Sequence, residues 1–267
     1  MPELPEVEIM ARNLRTWASG LRLEQVNLVD PKLLRGAESV EELHGRSLDS
    51  VLRRGKYVVA RFGDDSLVFH FRMTGKLVLL DPDEQRSLRA SLHFAGGSHV
   101  GFQDTRRFGT IDLLPNSELD PWFEQRLGPE PWPADRDGTW WAKRMARSRS
   151  PLKPVLLDQR RVAGLGNIAG SEICWRAQLD PRAPASQLST RDWTAVNAAC
   201  RAWIEDTLEV ESGAEILYIG EGGGRNHNPF CVYQREGSPC PRCGAPIERL
   251  RQAGRSTFFC PPCQRMP

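Results

Sequence analysis

The sequence predicts an α+β chain in two domains, a β-rich N-terminal part behind one leading helix and a helical C-terminal part ending in a cysteine-bearing hairpin. Three observations predict this. Short apolar or alternating runs crowd residues 23–114, helix-period patterns replace them after about residue 138, and two Cys-x-x-Cys pairs stand near the end of the chain.

Taken in order, the chain opens with a helix. Pro5 suits a first helical turn, Glu6 and Glu8 complement the helix dipole there, and Val7, Met10 or Ala11, and Leu14 share a face before Gly20. Strand-like runs follow at 23–29, 47–51, 57–62, 66–71 and 76–80, then at 91–94, 99–104 and 110–114, punctuated by Gly, Asp and Pro. So many short strands at close spacing predict a β-sandwich or barrel. Residues 116–137, with Pro121, Pro129, Pro131 and Pro133, read as a connection.

Ser150-Pro151 has the form of an N-cap followed by a proline at the first helical position, which predicts a helix to about Gln159. A second helix is expected over 167–176. In a third, from Asp192, the residues Trp193, Val196, Cys200, Trp203, Ile204 and Leu208 fall on one face, where tryptophans belong to a core. A glycine run at 220–224 then precedes the tail. The expected division is 1–115, a linker at 116–137, a helical domain at 138–224 and a cysteine-rich tail at 225–267.

At 267 residues, 40% hydrophobic and 26% charged, the composition is that of a globular chain with enough residues for one large or two small cores. No signal sequence or membrane-length apolar run is visible, so a cytoplasmic protein is expected, and no oligomerisation segment stands out against a monomer. The net charge of +2 hides a segregation. Between 143 and 161 seven lysines and arginines face only Asp158, and from 225 onward seven arginines face only Glu236 and Glu248. Such segregation points to a polyanion held by the C-terminal half, with a solvated basic face as the ordinary alternative.

Chemistry first shows itself at the chain end. Removal of Met1 would leave Pro2 as a terminal secondary amine, whose free-base fraction at neutral pH exceeds that of a lysine by roughly a few hundred-fold. Such an amine can attack a carbonyl-like carbon and form an iminium, and Glu3 and Glu6 stand close enough in sequence to move protons. An ordinary capped helix would carry the same residues.

Cys240-Pro241-Arg242-Cys243 and Cys260-Pro261-Pro262-Cys263 present two thiolate pairs separated by sixteen residues. This spacing suits one tetrahedral Zn²⁺ with a hairpin between the pairs, and disulfides are disfavoured in a cytosolic chain. So small a tail has little core, so the metal is expected to supply much of its folding energy. Between the pairs, Arg255 is placed to bracket a phosphate. Gly164-Leu165-Gly166-Asn167 fits a tight helix–turn–helix whose new N-terminus offers N–H groups to an anion, with Asn167 adding a donor. Glu172, one turn into that helix, also suits a simple dipole role. In the β-rich half, Lys56 sits beside a turn glycine. His70-Phe71-Arg72-Met73 and Asp104-Thr105-Arg106-Arg107-Phe108 pair basic with large apolar residues at strand ends. Singly, Met73 and Phe108 read as core; beside DNA they read as wedges that fill the gap left by an everted nucleotide.

In this order the motifs resemble those of the formamidopyrimidine-DNA glycosylase/endonuclease VIII superfamily over essentially the whole chain. The resemblance implies an N-terminal β-sandwich preceded by a helix, a helix–two-turn–helix domain and a zinc finger, with damaged or abasic double-stranded DNA in the cleft between the domains. It implies Pro2 as nucleophile at the anomeric carbon, Glu3 as proton carrier and Glu6 as support for the terminus. Lys56, His70, Asn167 and Arg255 then match phosphate-holding positions, and Met73, Arg106 and Phe108 match the residues that fill the vacated stack. Glu172 matches a position near the everted base, and Lys153 is a further basic candidate near the DNA. The implied enzyme is a bifunctional glycosylase and abasic-site lyase with one structural Zn²⁺ and no catalytic metal or organic cofactor.

The PELPEVE start resembles the formamidopyrimidine branch, which favours oxidised purines such as 8-oxoguanine. Two departures bear on the lesion. Ala169-Gly170 stands where the family usually has tyrosine and alanine, and the glycine-rich segment 217–227 does not resemble the usual base-capping loop. Oxidised pyrimidines, or abasic sites alone, are the alternative substrates. A non-catalytic zinc-finger DNA-binding protein is the alternative class, but it would have no need of Pro2, Glu3 or Lys56.

Overall fold

The computed structural model of the chain describes residues 2–80, 87–134, 136–145, 147–210 and 230–267. Met1 and the glycine-rich segment 217–227 lie outside the described residues. The chain divides into two compact units, which among the described residues are 2–125 with 210, and 126–209 with 230–267.

The first unit opens with α1 (Leu4–Ala18). Its start is closed by a reciprocal cap: the Glu3 backbone N–H donates to Glu6 Oε2 at 2.9 Å, while the Glu3 carboxylate accepts the Glu6 N–H. Leu4, Val7 and Met10 are fully buried, each worth roughly 1.5–3 kcal/mol of transfer free energy. Arg15 in the last turn donates to the Val51 carbonyl at 2.8 Å, tying the helix to the sheet behind it.

Nine strands follow: β1 (Leu23–Leu28), β2 (Leu34–Arg35), β3 (Ser50–Arg54), β4 (Tyr57–Phe62), β5 (Asp65–His70), β6 (Lys76–Leu79), β7 (Leu88–Phe94), β8 (His99–Gln103) and β9 (Thr110–Pro115). They form a four-stranded sheet in the order β1-β7-β8-β6 and a five-stranded sheet in the order β2-β9-β5-β4-β3. Phe62 stacks with Phe94 at 6.5 Å and Phe69 with Phe102 at 6.3 Å, each pair joining one sheet to the other. The unit is therefore a sandwich, with α1 packed on β3, β4 and β6. Every long strand expected from the pattern is present, although the one expected at 47–51 runs from 50 to 54. The two-residue β2 was not anticipated, being too short to show alternation.

The stretch 116–137 is more ordered than its prolines suggest, since it holds α2 (Asn116–Glu124) with Pro121 inside it. The second unit contains α3 (Gly138–Met145), α4 (Leu152–Leu156), α5 (Asn167–Arg176) and α6 (Thr190–Val210). α4 begins one residue later and ends earlier than expected: Pro151, not Ser150, is its N-cap. The six residues predicted to share a face of α6 are all buried, and Trp193 stacks with Trp141 of α3 at 6.4 Å. The tail folds as β10 (Glu248–Gln252) and β11 (Arg255–Phe259), antiparallel, around a small core of Trp175, Val232, Ile247 and Phe258. No described helix is long and apolar enough to cross a membrane.

Candidate functional site

In the first unit Pro2, Glu3 and Glu6 are all buried at the start of α1. The cap between the two glutamates fixes the backbone next to Pro2. Lys56 follows Gly55 in the β3–β4 turn and is only 9% exposed. His70, at the end of β5, packs its ring on Tyr57 at 4.4 Å. Burial first, then the charges of Arg72, Lys56 and Arg35, pull its pKa down to about 3. The imidazole is therefore neutral near pH 7. Its Nδ1 accepts the Arg72 N–H at 3.3 Å, which leaves the proton on Nε2 as a donor.

Met73 and Phe108 are among the few large apolar side chains left exposed, at 39% and 51%. With Arg35 and Arg72 they line a cavity of about 430 Å³, and the Arg106 guanidinium lies 4.9 Å from the Phe108 ring centre. What joins these two loops is Asp104, which sequence reasoning passed over. Its fully buried carboxylate accepts Thr74 Oγ1 at 2.5 Å and the N–H groups of Arg106, Phe108 and Gly109 at 3.1, 2.8 and 2.7 Å. One carboxylate thus sets the Met73 loop against the Phe108 loop. Its only trace in sequence is an Asp opening a loop.

In the second unit the turn at 164–166 leads into α5 as expected, with Gly164 at φ +91°. Gln159, also missed, braces it: its side chain accepts the Gly164 N–H at 2.9 Å and donates to the Leu165 carbonyl at 2.7 Å. Asn167 is the first residue of α5. Arg255 begins β11 after a two-residue hairpin loop in which Ala253 and Gly254 both have positive φ, the conformation that matches strand twist. Arg255 is exposed.

Lys153, expected near the DNA, lies beside two of the residues expected to hold phosphate. It is 1% exposed, and its Nζ donates to Asn167 Oδ1 at 2.8 Å, to the Ser256 carbonyl at 2.8 Å and to Thr257 Oγ1 at 2.9 Å. It links α4, α5 and β11 from inside. Gly170 gives it room, because a Cβ there would lie 2.5 Å from Leu157 Cδ1 and 3.0 Å from Lys153 Cγ. Lys153 and Arg255 also share a cavity of about 140 Å³ with Pro154, Leu157, Asp158 and Gln252.

Glu172 is tied to the backbone of the tail. Expected beside an everted base, it is 1% exposed and both its oxygens are engaged. Oε2 accepts the Cys231 N–H at 3.0 Å, and Oε1 accepts those of Val232 and Tyr233, each at 2.9 Å. A buried carboxylate without donors would cost several kcal/mol, and three backbone N–H groups meet that demand. Ala169 and Gly170 are both buried.

The four cysteine sulfurs at 240, 243, 260 and 263 lie within 4.8 Å of one another. The Cys240–Cys263 and Cys243–Cys260 separations are 3.9 and 3.5 Å, close to the roughly 3.8 Å edge of a tetrahedron with 2.3 Å Zn–S bonds. The set fits one structural zinc ion. Burial pushes the Cys240 thiol up, but N–H bonds from Arg242, the Trp175 indole and Cys243 outweigh it and bring its pKa below the usual thiol value. Cys174 and Cys200 are the opposite case: burial raises both to about 12, as expected of packed, inert thiols.

Comparison with known proteins covers the whole chain. Residues 1–111 match the formamidopyrimidine-DNA glycosylase N-terminal domain, 127–217 the formamidopyrimidine-DNA glycosylase H2TH domain, and 237–265 the zinc finger found in FPG and IleRS. The formamidopyrimidine-DNA glycosylase of Streptococcus pneumoniae is 37% identical over 273 residues, spanning 99% of each chain. That of Heliobacterium modesticaldum is 38% identical over 277 residues, spanning 99% of this chain and 100% of the relative. Among solved structures, MutM in complex with carbocyclic 8-oxo-G containing DNA superposes with a TM-score of 0.87 at 32% identity, covering 99% of this chain and 100% of that one. Lactococcus lactis Fpg with abasic-site DNA gives 0.87 at 32%, covering 98% and 99%.

Proposed function

Because the chain belongs to the formamidopyrimidine-DNA glycosylase family, we infer that it excises oxidised purines from duplex DNA and then cuts the strand at the abasic sugar. The observation that carries this reading is similarity from end to end to a protein solved on 8-oxo-G containing DNA, with an amine precursor and two carboxylates at the start of the chain.

The steps follow from the residues. The lone pair of the Pro2 nitrogen, freed by loss of Met1, forms a bond to C1′ as the C1′–N bond to the damaged base breaks. Glu3 carries protons to the departing base and the opening sugar ring. The resulting iminium acidifies the C2′ hydrogen. Its removal expels the 3′ phosphate and a second elimination expels the 5′ phosphate, after which water releases the sugar fragment and restores the amine. No step changes the overall oxidation level, so the reaction needs no redox cofactor. Zinc serves the fold of the tail.

In this scheme Glu6 holds the terminus through the cap, and Lys56, His70, Asn167 and Arg255 hold backbone phosphates. His70 does so as a neutral Nε2–H donor. Met73 and Phe108, exposed against the usual cost of leaving large apolar groups in water, fill the stack with Arg106 beside them. Lys153 supports Asn167, and Glu172 anchors the backbone at 231–233 near the everted base.

Borohydride trapping on a duplex with a single 8-oxoguanine, beside an abasic duplex, tests the reading. A covalent adduct on both, mapped to Pro2 and lost in Pro2→Gly, is expected. Trapping on the abasic duplex alone would keep the lyase and reject the oxidised-purine substrate. No adduct on either, from protein lacking Met1, would overturn the enzyme assignment.

A further inference from the structure

One cluster outside this site is left without a role by the proposed chemistry. Trp140, on the half-buried face of α3, has the Arg136 guanidinium 4.9 Å and the Arg144 guanidinium 5.2 Å from its ring centre. The two cations are thus no further apart than those distances together. Neither is ion-paired with a carboxylate among the described residues. Arg136 Nε donates to the Glu130 carbonyl at 3.4 Å and Arg144 Nε to the Arg161 carbonyl at 3.1 Å. The adjacent acid, Asp137, is engaged in starting α3, its Oδ1 accepting the Trp140 N–H at 2.7 Å. Asp158, the single acid between 143 and 161, accepts the Arg160 N–H and Arg161 Nε.

Arg144 and the helix that carries Trp140 are anchored from two sides. Arg161 returns a bond to the Arg144 carbonyl at 2.8 Å, closing a reciprocal pair with the Arg144 side chain. The other face of α3 is locked to α6: Trp141 is fully buried and its indole donates to Asn197 Oδ1 at 2.9 Å. Gly138 sits so close to α6 that a Cβ would lie 2.4 Å from the Thr190 carbonyl oxygen. Two guanidiniums fixed on one ring repel each other, and burial followed by the charge of Arg136 lowers the Arg144 pKa. An anion relieves that repulsion, and the unused N–H groups suit a phosphate.

We propose that Arg136 and Arg144, mounted on Trp140, form a second DNA-backbone site that grips a phosphate of the duplex arm flanking the lesion. The assignment rests on the reading of the chain as a DNA repair enzyme. Continuity within the unit favours DNA over an acidic protein. Arg144 is bonded to Arg161, Arg161 to Asp158, and Asp158 lines the same cavity as Arg255, while Arg147, Arg149 and Arg160 are exposed nearby in sequence. Trp140 is the mount, not a stacking platform for bases.

The test is the salt dependence of binding by the full chain to a lesion duplex with long arms and to two duplexes each shortened on one side. Arg136→Ala/Arg144→Ala is expected to weaken binding to the long duplex and to lower the slope of log K against log salt by roughly 1–2, about 0.9 per lost phosphate contact. Shortening one arm should abolish the difference between variant and parent, while shortening the other should preserve it. Arg136→Lys/Arg144→Lys, which keeps the charge, should retain most of the slope, and thermal melting checks that each variant folds. An unchanged slope in the folded alanine variant, or a difference indifferent to both arms, overturns the proposal. Failure of the glycosylase reading would appear separately, in the trapping assay.

Discussion

Lys153 Nζ donates to Asn167 Oδ1 at 2.8 Å, and this bond decides which way the amide faces. With Oδ1 committed to the buried ammonium, the Nδ2 donors are what Asn167 presents, and donors are what a phosphate requires. The same ammonium fixes the Ser256 carbonyl, next to Arg255. A cation hidden from solvent thereby orders two groups proposed to hold DNA.

Lys153→Met keeps the length of the side chain but strands three acceptors. A loss of about 1–3 kcal/mol in unfolding free energy is expected, read from urea denaturation, with weaker DNA binding. Full stability in that variant would mean the acceptors are satisfied in another way.

Glu172→Gln tests the anchor at 231–233. The amide retains one acceptor oxygen where the carboxylate has two, so one or more buried N–H groups lose a partner. A destabilisation of about 1–3 kcal/mol is expected. Were Glu172 a base contact only, stability would not move.

His70 gives the chain an acid-sensitive element. Its folded pKa, about 3, lies below the unfolded value near 6.5, so between those limits the unfolded state binds more protons. The stability contributed is complete above about pH 6.5 and is lost as pH falls toward 3. Denaturation of wild type and His70→Asn at pH 4.5 and 7 should show a smaller pH dependence in the variant. Equal dependence would show that the imidazole is not held neutral.

Arg255→Ala should weaken DNA binding and reduce the salt slope by about 0.9, with the unfolding midpoint nearly unchanged because the side chain is exposed. A constant slope would remove Arg255 from the phosphate contacts.

Metal analysis should find one zinc per chain. Cys263→Ser, or chelation under denaturing conditions, should unfold the tail and alter the emission of Trp175, whose indole donates to Cys240 Sγ at 3.4 Å. A folded tail free of metal would refute the structural assignment.

What could be read from sequence was whatever is written locally. The proline-led start of α1, the two cysteine pairs, the glycines before Asn167 and the alternation of β4 and β5 each declare themselves within a few residues. Asp104 and Gln159 escaped because their partners are backbone N–H and C=O groups, which carry no residue identity. Lys153 and Glu172 were singled out from sequence, but the partners that bury them were not. Charge pattern predicts that a lysine or glutamate faces solvent or ligand, whereas the partners that bury these two lie 14 to 104 residues away.

The missing Cβ at Gly170 ties the history of three positions together. A chain that acquires alanine there must first yield space at Leu157 or shift the Lys153 stem, so residues 153, 157 and 170 are expected to change in concert across relatives. Residue 170 then records how the interior lysine is seated, and a graft of the family's usual alanine into this chain would be accommodated by a turn of the Leu157 side chain.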